Sequence, residues 1–170
     1  MIVIVMGVSG SGKSYLASKL AEATGWPFAE GDEYHSESNK ALMSAGIPLT
    51  DAERIPWLDA LHQVLLRWQQ EHRSGILACS ALKAAYRERL TANLENVRFV
   101  WLDPPRSLLE ERMRSRPGHF MPPALLDSQL ATLENPTGQA PTLRLDGSEP
   151  IDQAIQTILD WLDESDNPND

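Results

Sequence analysis

The chain has 170 residues, 42% of them hydrophobic and 23% charged, with a formal net charge of −9. That length fits one domain with one substantial core, and the acidic balance argues against nucleic acid or an anionic membrane as partner, so an anionic ligand must be drawn by local positive clusters. No apolar stretch nears the roughly 18–20 residues that cross a bilayer, the N-terminus has no basic leader, and the one cysteine, Cys79, has no internal disulfide partner, which together predict a cytoplasmic protein.

Met1-Ile2-Val3-Ile4-Val5-Met6 is an apolar, β-branched run that reads as a buried strand. Gly7-Val8-Ser9-Gly10-Ser11-Gly12-Lys13-Ser14 follows at once and matches the P-loop pattern G-x-x-x-x-G-K-[ST] in full. The spacing is a mechanism. Its glycines let backbone N–H groups turn inward around a triphosphate, Lys13 reaches the β- and γ-phosphates, and the Ser14 hydroxyl can ligate Mg²⁺. Residues 13–23 then have helix-forming composition with apolar positions at Leu16, Leu20 and Ala23. Strand, loop and helix thus come in the order a phosphate site requires.

A second strand is expected at 28–30, and Gly31-Asp32-Glu33-Tyr34-His35 follows it directly. In an open α/β sheet, ligands bind outside the carboxyl ends of the strands, which positions Asp32 to face the phosphate site. A carboxylate there can accept a substrate hydroxyl's proton or help hold Mg²⁺, the two acidic roles of phosphoryl transfer. The plainer reading of Asp32 is a helix cap, and His35 reads equally well as a packing residue. Thr50-Asp51-Ala52-Glu53 has capping-box form. Pro56 predicts a restart or kink before Trp57, Leu58, Leu61, Val64, Leu65 and Trp68 take up a core-facing 3.6 period.

Residues 76–79 make a third strand, in which Cys79 reads as a small buried side chain and not a nucleophile. Ser80 can then bind a ligand or cap a helix over 83–94, on which Lys83 and Arg87 share a face at i, i+4. Two cations so placed repel modestly, so a shared anion or a carboxylate accounts for them, with a solvated basic face as the alternative. A fourth strand at 97–102 runs into Asp103 with a Walker-B look. That reading is discounted because Pro104-Pro105 splays the backbone and Asp32 competes for the metal.

A helix over 107–113 leads into a basic cluster: Arg106, Arg112, Arg114, Arg116 and His119. Arg112 and Arg116 share a face, and Pro117-Gly118 breaks the helix. This pattern predicts a lid over about 112–123 that closes over ATP and supplies charge to the transferring phosphoryl group; a solvated helix end is the alternative. Pro122 can open a helix to about 133, residues 142–145 make a fifth strand, and Ile151, Ala154, Ile155, Ile158, Leu159 and Leu162 close the chain with an amphipathic helix. Residues 164–170 read as a frayed acidic tail. Strands alternating with helices predict a parallel α/β sheet in one domain over 1–163.

Five blocks together resemble gluconokinase of the small P-loop type. They are the P-loop at 7–14, Gly31-Asp32-x-x-His35, Gly46-Ile47-Pro48-Leu49-Thr50-Asp51 with Arg54-x-Pro56-Trp57-Leu58, Cys79-Ser80-Ala81-Leu82-Lys83-x-x-Tyr86-Arg87, and His119-Phe120-Met121-Pro122-x-x-Leu125-Leu126-x-Ser128-Gln129 with Leu133-Glu134-x-Pro136. They run in family order over nearly the whole chain. The resemblance implies a nucleoside-monophosphate-kinase-like P-loop NTPase fold, related to shikimate kinase. That fold has a five-stranded parallel sheet flanked by helices, a lid, and usually a homodimer. It also implies ATP-dependent phosphorylation of D-gluconate to 6-phospho-D-gluconate.

Carried over by position, the resemblance makes Gly7, Val8, Ser9, Gly10, Ser11, Gly12, Lys13 and Ser14 the ATP site, with Ser14 and Asp32 toward Mg²⁺. Asp32 becomes the base near the sugar hydroxyl, and Lys13 and Arg116 act with it in catalysis. Arg112 and Arg116 resemble lid arginines that contact adenine and phosphate. His35, Arg54, Ser80, Lys83, Arg87, His119 and Gln129 resemble the polar wall that holds a carboxylate and hydroxyls. Ser36, Leu42 and the stretch Leu90-Thr91-Ala92-Asn93 depart from the family pattern beside these blocks and leave the chemistry intact. Within enzymes, the competing reading is a kinase of another small hydroxy acid such as shikimate. From another class comes a nucleotide-binding switch, but Asn39-Lys40-Ala41-Leu42 lacks the guanine-reading aspartate and no Asp-x-x-Gly occurs.

Overall fold

In the computed structural model, which describes residues 1–115 and 123–166, the run Ile2–Met6 (β1) is the middle strand of a five-stranded sheet. Helix Lys13–Thr24 (α1) follows, then Phe28–Glu30 (β2), a 3-10 turn over Gly31–Tyr34, Glu37–Ser44 (α2) and Asp51–Gln70 (α3). Gly75–Ala78 (β3), Ala84–Thr91 (α4), Val97–Leu102 (β4) and Arg106–Arg114 (α5) come next. Pro123–Thr132 (α6), Thr142–Leu145 (β5) and Ile151–Ser165 (α7) complete the order. The strand order is β2-β3-β1-β4-β5, and every pairing is parallel.

A parallel sheet covered on both faces needs strands apolar on both sides, and β1 is no more than 1% exposed at any of its five residues. Successive side chains alternate faces. Ile2, Ile4 and Met6 pack with Trp57, Leu58, Leu61, Leu65 and Trp68 of α3 and with Tyr86 and Leu90 of α4. Val3 and Val5 pack on the opposite side with Leu16, Ala17 and Leu20 of α1 and Ala154, Ile158 and Leu162 of α7. A smaller cluster joins Val8 of the P-loop to Leu82, Leu109 and Leu126, and so seats α5 and α6 beside the loop. No helix among the described residues is long and apolar enough to cross a membrane.

Four helices depart from the sequence expectation by more than a one-residue shift of an end. Helix α3 opens with the expected capping box: Glu53 N–H donates to Thr50 Oγ1 at 3.2 Å and Thr50 N–H to Glu53 Oε1 at 3.0 Å. It then runs unbroken through Pro56. The missing N–H would have served Ala52, and both residues are exposed, so the freed carbonyl is open to solvent. Helix α4 is shorter than 83–94: Lys83 is its N-cap, and Asn93 adopts left-handed backbone at φ 59° beyond Thr91. Helix α2 was not anticipated at all. Helix α7 continues to Ser165, two residues into the stretch read as a tail, while 167–170 lie outside the described residues.

Candidate active site

The P-loop is set by where β1 ends. Gly7 lies so close to the end of β4 that a Cβ would sit 2.7 Å from the Leu102 carbonyl and 2.8 Å from Ser11 Oγ, so no larger residue fits. Gly12 takes φ 91° as the cap of α1, a conformation natural only to glycine. That helix has no side-chain cap and no acidic residue in its first turn, so its free N–H groups and positive dipole end are left for an anion. Lys13 is 7% exposed, and Ser11 Oγ is buried without a partner among the described residues.

A cavity of about 780 Å³ opens from this cradle. Ser9, Gly10, Gly12, Lys13 and Ser14 line one end. Asp32 and His35 from beyond β2, Lys40 of α2, Arg54 and Trp57 of α3, and Ser80 beyond β3 line the other. Ser128, Gln129 and Thr132 of α6 and Arg112 of α5 complete the wall.

Asp32 is exposed to this cavity. The cap of its 3-10 turn is the Glu30 carboxylate, which accepts from Asp32 N–H at 3.4 Å. The Asp32 carboxylate itself makes no hydrogen bond or ion pair among the described residues, so the helix-cap reading falls to Glu30. His35 stacks on Trp57, with ring centres 4.1 Å apart and planes 15° from parallel. Trp57 Nε1–H is held by the Gly31 carbonyl at 2.7 Å. Burial pushes the His35 pKa below its ordinary value; Asp32 pulls it up, while Arg54 and Lys40 push it further down. A neutral ring results, with a buried Nδ1 that has no partner among the described residues. Arg54 reaches the cavity wall with Nη1 donating to the Tyr86 hydroxyl at 3.0 Å.

Lys83 and Arg87 do not meet at this wall. Because Lys83 is a cap with extended backbone rather than a helical residue, its side chain diverges from Arg87 and pairs with Asp51 at 3.1 Å. Arg87 is 1% exposed and turned into the fold: Nη1 donates to the carbonyls of Ala81 at 2.7 Å and Leu82 at 3.2 Å, and Nε to Gln139. The shared-anion expectation for this pair is therefore corrected, since neither lines the cavity.

Gln129 lines the cavity but spends both amide atoms on the P-loop: Ser9 N–H donates to Oε1 at 2.7 Å and Nε2 donates to Ser9 Oγ at 3.1 Å. Arg112 likewise braces Ser11 and the loop after β5, donating to the carbonyls of Ser11 at 2.9 Å and Gly147 at 2.7 Å. Asp103 pairs with Arg144 at 2.6 Å and is absent from the cavity wall, in line with the discounted Walker-B reading. Cys79 is buried, and burial pushes its thiol up to about 12, which fits a packing role. Arg116, His119 and the rest of 116–122, within the stretch expected to form a lid, lie outside the described residues.

Lys40 and Thr132 line the cavity without having been singled out in the sequence, and Ser128, quoted only within a family-like block, lines it too. Lys40 rides on α2, whose start was signalled by Ser36 followed by Glu37. Ser36 Oγ accepts from Asn39 N–H at 3.1 Å. Asn39 Nδ2 then ties α2 to α3 through the Glu53 carbonyl at 2.9 Å.

Residues 2–136 match the AAA domain family. A gluconokinase from Gluconobacter oxydans (strain 621H) is 43% identical over 157 residues, covering 92% of this chain and 88% of that protein. The chain belongs to the gluconokinase family. A solved structure of a gluconokinase from Sinorhizobium meliloti 1021 superposes with a TM-score of 0.85 at 44% identity, covering 95% of this chain and 91% of that one. A shikimate kinase from Bacteroides thetaiotaomicron shares the fold alone, at 19% identity and a TM-score of 0.69. Gluconokinase membership thus rests on sequence and fold together, whereas the shikimate alternative has only the fold behind it.

Proposed function

We propose that the chain transfers the γ-phosphoryl group of ATP to the primary hydroxyl of D-gluconate, giving 6-phospho-D-gluconate. The observation that carries this reading is the continuous cavity, which joins a phosphate cradle at Lys13 and Ser14 to a wall bearing Arg54, Lys40, His35 and Ser80 with Asp32 beside it. A linear acid with a carboxylate at one end and a reacting hydroxyl at the other needs both ends of such a site.

Lys13 and the N–H groups that open α1 take the charge of the phosphates, where it shifts during transfer. Asp32 receives the proton of the attacking hydroxyl. Arg54 and Lys40 hold the substrate carboxylate, and neutral His35, Ser80, Ser128 and Thr132 offer partners to the chain of hydroxyls. Among the described residues no group of three carboxylates, histidines or cysteines could hold a metal alone. The Ser14 hydroxyl and the unpaired Asp32 carboxylate fit Mg²⁺, which keeps waters and takes few protein ligands besides substrate phosphates. Bound there, Mg²⁺ would neutralise phosphate charge. The family resemblance supports a homodimer, and the lone reduced thiol supports a cytoplasmic location.

A coupled ADP-release assay across gluconate, shikimate, common sugars and nucleoside monophosphates tests the proposal. Turnover with gluconate, and 6-phosphogluconate as the product, is expected. Absence of that product from gluconate and ATP overturns the substrate assignment.

A further inference from the structure

Behind the cavity wall stands a chain of polar groups that the reaction above does not use. Tyr86 is buried, yet its hydroxyl reaches both the Asp51 carboxylate and Nη1 of Arg54, the latter at 3.0 Å. Asp51 in turn receives Lys83 Nζ at 3.1 Å and 3.4 Å through its two oxygens. An ionised carboxylate only accepts hydrogen bonds, so the hydroxyl proton of Tyr86 points at Asp51. Its lone pairs are then left to receive the Arg54 guanidinium. The ring reinforces this arrangement, with Arg54 lying 5.4 Å and Lys83 5.5 Å from its centre.

This order settles what each charge is free to do. Lys83 supplies the counter-charge of Asp51, and the Tyr86 hydroxyl stands between Asp51 and Arg54. Among the described residues no ion pair joins Arg54 to any carboxylate, so its charge is directed to the cavity unspent. The Lys83–Asp51 pair is half in water, with 35% and 63% of the two side chains exposed. Such a pair adds little to stability; what it does here is occupy Asp51.

We propose that Tyr86, Asp51 and Lys83 are positioning residues that set Arg54 as the cation selecting a substrate carboxylate. The inference rests on the assignment of Arg54 to the gluconate carboxylate. Tyr86 fixes the direction of the guanidinium, and Lys83 keeps Asp51 from neutralising it.

Steady-state kinetics on Tyr86→Phe, Arg54→Met and the double variant test this. Tyr86→Phe is expected to raise KM for gluconate about five- to tenfold, as for loss of the net contribution of one ordinary hydrogen bond. Its kcat and KM for ATP stay within about twofold of wild type. Arg54→Met raises the gluconate KM further, and adding Tyr86→Phe to it changes nothing more. Lys83→Met, at a half-exposed site, also raises the gluconate KM, and adding Asp51→Asn to it restores the lower value. An unchanged gluconate KM in Arg54→Met overturns the carboxylate assignment itself. A raised KM in Arg54→Met with none in Tyr86→Phe or Lys83→Met overturns the positioning inference alone. A Tyr86→Phe variant that loses kcat, ATP affinity and thermal stability together, whatever stands at 54, shows a structural residue and likewise overturns it.

Discussion

Arg87→Met separates a role in the fold from a role with substrate. The wild-type guanidinium holds the carbonyls of Ala81 and Leu82 and the amide of Gln139. Leu82 keeps a second donor, Glu134 N–H at 2.7 Å, and Gln139 is exposed and can turn to water. The substitution therefore strands one buried carbonyl, that of Ala81, at a cost of about 1–3 kcal/mol. Ala81 is held at φ 46°, a left-handed conformation that costs a residue with a Cβ on the order of 1 kcal/mol and loses its tether. Methionine refills most of the stem's volume. Nη2 has no partner among the described residues, and burial already pushes the Arg87 pKa down, so removing the charge returns part of the loss. The net expectation is about 2–3 kcal/mol, or a thermal midpoint lower by roughly 4–12 °C for a chain of this size. Urea unfolding followed by tryptophan fluorescence measures the first quantity. Kinetics at a temperature where the variant is folded should find a gluconate KM within about threefold of wild type. A variant as stable as wild type with a gluconate KM raised about tenfold or more would put Arg87 on the substrate and refute the reasoning.

Lys13→Ala should fold, by circular dichroism, and lose at least about a hundredfold in kcat, as for removal of one preorganised electrostatic donor; near-native turnover removes the P-loop lysine from the chemistry. Asp32→Asn should lower kcat far more than it raises the gluconate KM, because its charge acts chiefly in the transition state; an unchanged kcat ends its role as base. His35 has a folded pKa below its ordinary value of 6.5, so the unfolded chain binds more protons just below that pH. Its contribution to stability is thus complete above about pH 6.5 and is lost as the pH falls toward the folded value. Urea midpoints from pH 5 to 8 should fall less steeply on acidification in His35→Gln than in wild type, and parallel curves would show that His35 does not titrate differently on folding.

What could be read from sequence was what local chemistry dictates. The β-branched run 2–6, the P-loop glycines and the Thr50–Glu53 box each specify their own geometry, and the sheet and α3 followed from them. Asp32 was placed by a topological rule, and it does stand unpaired on the cavity wall. Lys83 and Arg87 were misjudged because i, i+4 spacing means a shared face only if both residues are helical. A one-residue difference in where α4 begins sends one to Asp51 and buries the other. Lys40 went unnoticed because α2 is short and polar, with its orientation fixed by Asn39 reaching Glu53, a contact fourteen residues away in sequence. Gln129 lines the cavity, but its amide faces Ser9, and only three-dimensional pairing could reveal that.

The lone thiol of Cys79 has a practical corollary. Held at about 12 and fully enclosed, its thiolate is populated at pH 7 only on the order of one part in a hundred thousand. The folded chain is therefore blank to maleimides and iodoacetamides without any native residue having to be removed. A cysteine placed at Ala41, an exposed position on α2, becomes a unique attachment point. A dye or spin label there sits on the helix that carries Lys40 to the cavity, and its signal reports whether the surroundings of that helix change as ligands are added.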